Sequence, residues 1–220
     1  MSASGEQQLP PGIPATATEG EQSLLQALAS SFGPHQRAEA LWELVQFYLH
    51  EARRRDLAVA LLDVMMQESV SPERTAIYCI ALGKIAELDE HWDLALSHYT
   101  RGLSFHPKNP RTMYLLHNNV AFCHNMLAQY DLSESFCRRA IEIDATRANA
   151  YANLGAALEG KGDVVGAAFA FVEAIHANPE DPLTIQLLKK LLGDYPELVW
   201  QRSWIDKELG ERGSARNPDA

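Results

Sequence analysis

Residues 148–181 read ANAYANLGAALEGKGDVVGAAFAFVEAIHANPED, and the spacing of their apolar and small side chains decides the fold. Tyr151, Leu154 and Leu158 recur at helical intervals, and Gly160-Lys161-Gly162 then interrupts the pattern. Ala167, Phe171 and Ala174 resume the same period until Pro179 stops it. The stretch therefore predicts a helix, a tight turn and a second helix. One such pair cannot bury its own apolar face and is stable only when stacked on others, so further copies are expected.

They are present on its N-terminal side. Residues 76–109 carry Leu82-Gly83 and Ala86 in a first helix, Ala95 and Tyr99 in a second, then Gly102 and Pro107. Small side chains at Gly83 and Ala95 let two helices cross closely, while Leu82 and Tyr99 fill the volume beside the crossing. Residues 114–147 repeat the pattern with Val120-Ala121, Ser133, Cys137 and Ala140, and residues 39–72 form a degenerate copy with Trp42, Val45, Leu49, Ala58, Leu62 and Met65. In that copy Gln46 takes the slot of the small residue. The segment Lys108 to Arg111 is read as a lengthened loop between the second and third copies.

The spacings W-x2-L-G-x2-Y, A-x3-F and P are those of the 34-residue tetratricopeptide repeat (TPR), and the chain resembles a TPR protein. The resemblance covers residues 39–181 and implies an all-α, right-handed α-solenoid of helix-turn-helix repeats. Outside it, residues 1–20 are rich in Pro, Gly, Ser and Gln and read as a disordered tail. Residues 21–38 read as an N-terminal capping helix, residues 182–210 as C-terminal capping helices opened by Pro182 and Pro196, and residues 211–220 as a frayed end. About eleven or twelve helices and no strand are expected.

Composition narrows the function. The 220 residues carry a formal net charge of −10, and their single basic run, Arg53-Arg54-Arg55, reads as a solvated turn. Binding to a phosphate backbone needs clustered Lys and Arg, so no nucleic-acid partner is expected. No stretch is apolar enough to span a membrane and no secretory signal opens the chain, so neither membrane insertion nor export is expected. Cys79, Cys123 and Cys137 form an odd set without a CxxC pair, which suits buried thiols in a reducing, cytoplasmic setting.

Catalytic chemistry has no foothold in the pattern. Neither a GxSxG elbow, a P-loop nor a GxGxxG fingerprint occurs. His117 and His124 lie seven apart on the packing face and read as packing residues, because a metal site needs three or four converging ligands. No metal, no cofactor and no enzymatic activity are expected.

The resemblance implies that the first helix of each repeat lines a concave groove. Transferred residue by residue, it points to Ile77, Ile80, Ala81, Lys84 and Glu87; to Leu115, Asn118, Asn119, Phe122 and Asn125; and to Asn149, Ala152, Asn153, Ala156 and Glu159. Counterparts in the degenerate copy are Ala40, Glu43, Leu44, Phe47 and His50. Asn119 and Asn153 lie one repeat apart, and an amide offers both groups that a peptide backbone needs. The pair reads either as a ladder holding a ligand's main chain or as amides satisfying local helix groups. Ile80, Asn149 and Asn153 replace cations that a carboxylate clamp requires, leaving Lys84 as a weak anion site. Phe122, Ile80 and Leu115 suggest pockets for apolar anchors.

On the last helix, Trp200 and Trp204 fall opposite Leu198, Ile205 and Leu209. That face reads either as buried between the array and its own tail or as a surface for a partner or a second copy. The function expected is a scaffold or adaptor that binds a protein or extended peptide, neutral to basic in charge. The alternatives are a self-associating assembly protein using the Trp face, and an accessory subunit presenting substrates to an enzyme.

Overall fold

The computed structural model describes residues 18–50 and 54–198. The expected tails, except for Thr18 to Gly20, and the part of the expected capping helices that carries Trp200 and Trp204 lie outside the described residues. Within them the order is α1 (Glu19–Ala29), α2 (Pro34–His50), α3 (Arg55–Glu68), α4 (Pro72–Leu88), α5 (Trp92–Ser104), α6 (Pro110–Met126), α7 (Tyr130–Ile143), α8 (Ala148–Gly160), α9 (Val164–Ala177) and α10 (Pro182–Asp194). A 3-10 turn at Pro196–Leu198 follows, and the described residues contain no strand.

Proline at the first helical position and a polar N-cap start α4, α6 and α10. Pro lacks the N–H that would go unpaired there, and the cap satisfies another donor. Asn109 accepts from the Arg111 N–H at 2.8 Å, and Asp181 accepts from the N–H groups of Leu183 and Thr184 at 3.2 Å. Arg111 is thus helical, and α6 begins at Pro110. The extra residues expected in a loop there instead contribute a helical turn, because the Asn109-Pro110 cap starts the helix early.

Each connection between paired helices from α4 onward closes the same way. The N–H groups of His91, Gln129 and Asp163 reach back to the carbonyls of Ala86, His124 and Leu158 at 2.9, 2.8 and 2.9 Å. The bond requires a left-handed residue just before it, and Glu90, Ala128 and Gly162 supply positive φ angles of 57°, 55° and 83°.

The helices pack as antiparallel pairs, α2 with α3, α4 with α5, α6 with α7 and α8 with α9, and each pair stacks on the next. Close crossing within pairs rests on the small residues: a Cβ on Gly155 would lie 2.5 Å from the Phe171 ring, so only glycine permits that approach. The core runs the length of the stack, from Leu41, Leu44, Val45 and Tyr48 through Tyr99, Leu116 and Val120 to Phe171 and Leu191. At the N-terminal end α1 covers α2, where the buried Tyr48 hydroxyl donates to the buried Glu21 carboxylate at 2.6 Å. At the C-terminal end α10 covers α9.

One register, that of α2, is corrected in the first pair. In α2 the buried residues include Ala40, Leu44 and Val45, so Ala40 and Leu44 belong to the core and not to a groove. Phe47 packs edge-on to Tyr48 and beside Gly20 of α1. The small-residue slot is filled by Val45 rather than Gln46, because α2 stands 38 residues before α4 whereas α3 stands 37 before α5. The connection between α2 and α3 therefore holds one residue more than the next one.

Candidate functional site

The first helices of the pairs line one continuous groove with two different halves. Its N-terminal half is an apolar hollow of about 620 Å³ between α2, α4 and the start of α6. Trp42 and Leu49 of α2, Ile77, Ile80 and Ala81 of α4, and Leu115 of α6 form its walls. The hollow exists because α2 and α4 do not pack closely along their length, whereas α4 with α6 and α6 with α8 do. Trp42 spans part of the gap, its ring 6.0 Å from that of Tyr78 at a tilt of 32°.

The C-terminal half is a polar trough of about 550 Å³ between α6, α8 and α10. Asn118, Asn119, Asn149, Asn153, Asn178 and Thr184 line it, and Lys84, Glu87 and Leu115 border both halves. All five residues that the resemblance assigned to α4 line the groove, as do Leu115, Asn118, Asn119, Phe122, Asn149, Ala152 and Asn153. Trp42, Gln46 and Leu49 of α2 were not assigned; they sit 38 residues before Ile80, Lys84 and Glu87. Leu183, Thr184, Asn178 and Asp181, which close the far end, belong to the capping region that the repeat pattern does not cover.

The asparagines form a network instead of an open ladder. Asn119 and Asn118 are buried, and Asn118 Nδ2 donates to Asn119 Oδ1 at 3.2 Å. Asn153 Nδ2 donates across to Asn118 Oδ1 at 3.0 Å, and Asn125 Nδ2 donates to the Asn153 carbonyl at 2.8 Å. Asn125 thus tethers α6 to α8 from the last turn of α6 and does not line the groove. Asn119 Nδ2 approaches the Tyr99 hydroxyl without reaching hydrogen-bond geometry and is a buried donor with no acceptor. Asn149 is exposed.

Charges in the groove are largely engaged. The Lys84 ammonium lies 2.6 Å from Glu87, whose other oxygen accepts from the Tyr99 hydroxyl at 2.6 Å. Burial first, and then that carboxylate, push the Tyr99 hydroxyl far above its ordinary value. Glu159 is half-buried and bonded to Lys190 of α10 at 3.2 Å, so it braces the cap and does not line the trough. Phe122 meets Trp92 edge-on at 5.7 Å and 80°. His117 and His124 flank the Phe136 ring, each with centroids 5.6 Å away.

Among the described residues no group of three His, Cys, Asp or Glu side chains could hold a metal ion. No helix of these residues is long and apolar enough to cross a membrane.

The helical stack is similar to solved structures. The chain is similar to MamA from Desulfovibrio magneticus RS-1, with a TM-score of 0.59 and 18% identity over 83% of this chain and 97% of that one. It is similar to the Hsp90 co-chaperone Cns1 from Saccharomyces cerevisiae, with a TM-score of 0.56 and 20% identity over 66% of this chain and 47% of that one. The second TPR domain of human RPAP3, solved in complex with an HSP70 peptide, matches with a TM-score of 0.50 and 25% identity over 55% of this chain and 98% of that domain. No family model matches the sequence, and no curated protein matches it either. The chain has the helical solenoid fold of these tetratricopeptide-repeat structures.

Proposed function

We propose that this chain is a protein-interaction scaffold that holds an extended partner segment in the groove between α2 and α10. The observation that carries the reading is the continuity of a preformed apolar hollow with an amide-lined trough, joined at Lys84, Glu87 and Leu115. The hollow takes apolar anchors, where binding energy concentrates. The trough offers the exposed Asn149 amide to a backbone carbonyl. Solenoids of this fold bind peptides in at least one solved case, the RPAP3 domain with its HSP70 peptide.

Lys84 is already neutralised by Glu87, which supports a neutral to basic partner over an acidic C-terminal tail. The net charge of −10 supports it too. Burial pushes the Cys123 and Cys137 thiols up to about 12. They stay protonated and inert, which fits work in a reducing, cytoplasmic setting.

The test is a display selection of random twelve-residue peptides against the intact protein, followed by binding of the selected pool to Leu115→Glu and Asn149→Asp variants. A carboxylate at position 115 removes an apolar wall of the hollow and should weaken capture of apolar anchors by about tenfold or more. Melting curves establish that both variants fold. Unchanged capture by two folded variants would place the binding surface elsewhere and end the groove reading.

A further inference from the structure

Opposite charges flank the apolar hollow, acidic beyond its α2 edge and basic toward α6. On the α2 side a smaller hollow of about 380 Å³ adjoins it, and there Glu39 and Glu43 face a single guanidinium, that of Arg74. Arg74 lies against the Tyr78 hydroxyl and holds its upward, burial-driven pKa shift in check. Glu39 meets only the imidazole of His35 at 3.3 Å, and Glu43 is exposed with no ion-pair partner among the described residues. On the α6 side Lys84 and Arg111 outnumber Glu87. Arg111 is exposed and has no carboxylate within 4.0 Å among the described residues. Farther along the groove Arg147 is committed to Asp144 at 2.7 Å and stacks over the Tyr114 ring.

Resting on the groove reading, we propose that the partner segment is patterned: a basic residue over Glu39 and Glu43, apolar side chains in the hollow between Trp42 and Leu115, and an acidic residue at Arg111. This order fixes the direction in which the segment lies. Packed helices stand about 8–10 Å apart, so two steps from α2 to α6, the first of them loosely packed, span at least about 16–20 Å. An extended chain covers that in about five or six residues at about 3.3 Å each. A segment with one sign of charge throughout satisfies only one flank and is repelled by the other.

Two fluorescein-labelled probes separate the possibilities: the octapeptide SKSFLSES and its charge-reversed form SESFLSKS, measured by anisotropy against the intact protein at low and high salt. The first should bind at least about fivefold tighter at low salt, from two solvent-exposed pairs, and the margin should shrink as salt screens them. A Glu43→Lys, Arg111→Glu double variant changes only exposed positions and should invert the preference. Equal binding of both probes, abolished when their Phe-Leu pair is replaced by Ser, would overturn the charge order while leaving the groove reading intact. Binding of neither probe at millimolar concentration, alongside peptides from the display selection that do bind, would overturn the pattern as a whole. A concentration-dependent dimer in light scattering that neither probe displaces would assign the hollow to a second copy and overturn the proposal.

Discussion

At the scale of single residues, His117 shows how packing sets a pH response. Its ring lies against Phe136 on the inner side of the α6 and α7 pair, and its buried Nδ1 has no hydrogen-bond partner. Burial first, and then the Arg139 charge, depress its pKa, with Glu142 opposing. The folded protein therefore holds His117 neutral where the unfolded chain, titrating at about 6.5, takes up a proton. Stability from this group is present above about pH 6.5 and is lost as pH falls toward the depressed folded value. Urea midpoints should drop between pH 7.5 and pH 5.5, and His117→Phe should flatten that dependence; an unchanged slope would show that other groups control it. The packing role of His117 and His124 is legible in their seven-residue spacing. The fate of the asparagines is not, because an amide is equally able to meet a ligand or a neighbour. Asn118, absent from the aligned pair, is the residue that bridges Asn119 and Asn153.

At the scale of helices, the pattern of Leu82-Gly83, Val120-Ala121 and Leu154-Gly155 identified the pairs, since small residues at crossings leave a direct mark on sequence. The α2 register differs by one position from the expected one because the α2–α3 connection is one residue longer than its successor. One residue turns a helix by about 100°, which moved Ala40 and Leu44 from the core to the groove. The prolines carry the missing information: Pro34, Pro72 and Pro110 stand at the first positions of α2, α4 and α6, spaced by 38 residues. The three connections with a left-handed residue yield a reciprocal prediction. Ala128 holds φ at 55° where Gly162 holds it at 83°. Left-handed backbone costs a residue with a Cβ about 1–2 kcal/mol. Ala128→Gly should therefore raise stability by about 0.5–1 kcal/mol and Gly162→Ala should lower it by a similar amount, read from chemical denaturation. Effects of the same sign for both would refute this account of the turns.

At the scale of the whole molecule, the stack is held by neighbour contacts alone, so its stability is a sum over seams and the weakest seam opens first. The seams differ. Helices α5 on α6 and α7 on α8 pack broadly, and the first helices of those pairs also touch; α3 packs less on α4, and α2 leaves the apolar hollow between itself and α4. The groove's binding surface and its mechanical weak point are thus the same place. Native-state hydrogen exchange should show α1, α2 and α3 exchanging through a partial opening at lower free energy than α6 to α9. A bound segment bridging Trp42 and Leu115 replaces the contact that α2 and α4 lack, and stabilises the closed seam by mass action. Saturating peptide should therefore slow exchange most in α2 and α4, beyond the amides it touches, and leave α9 nearly unchanged. Uniform exchange along the stack, or protection confined to α8 and α10, would mean that the hollow is neither the weak seam nor the anchor site.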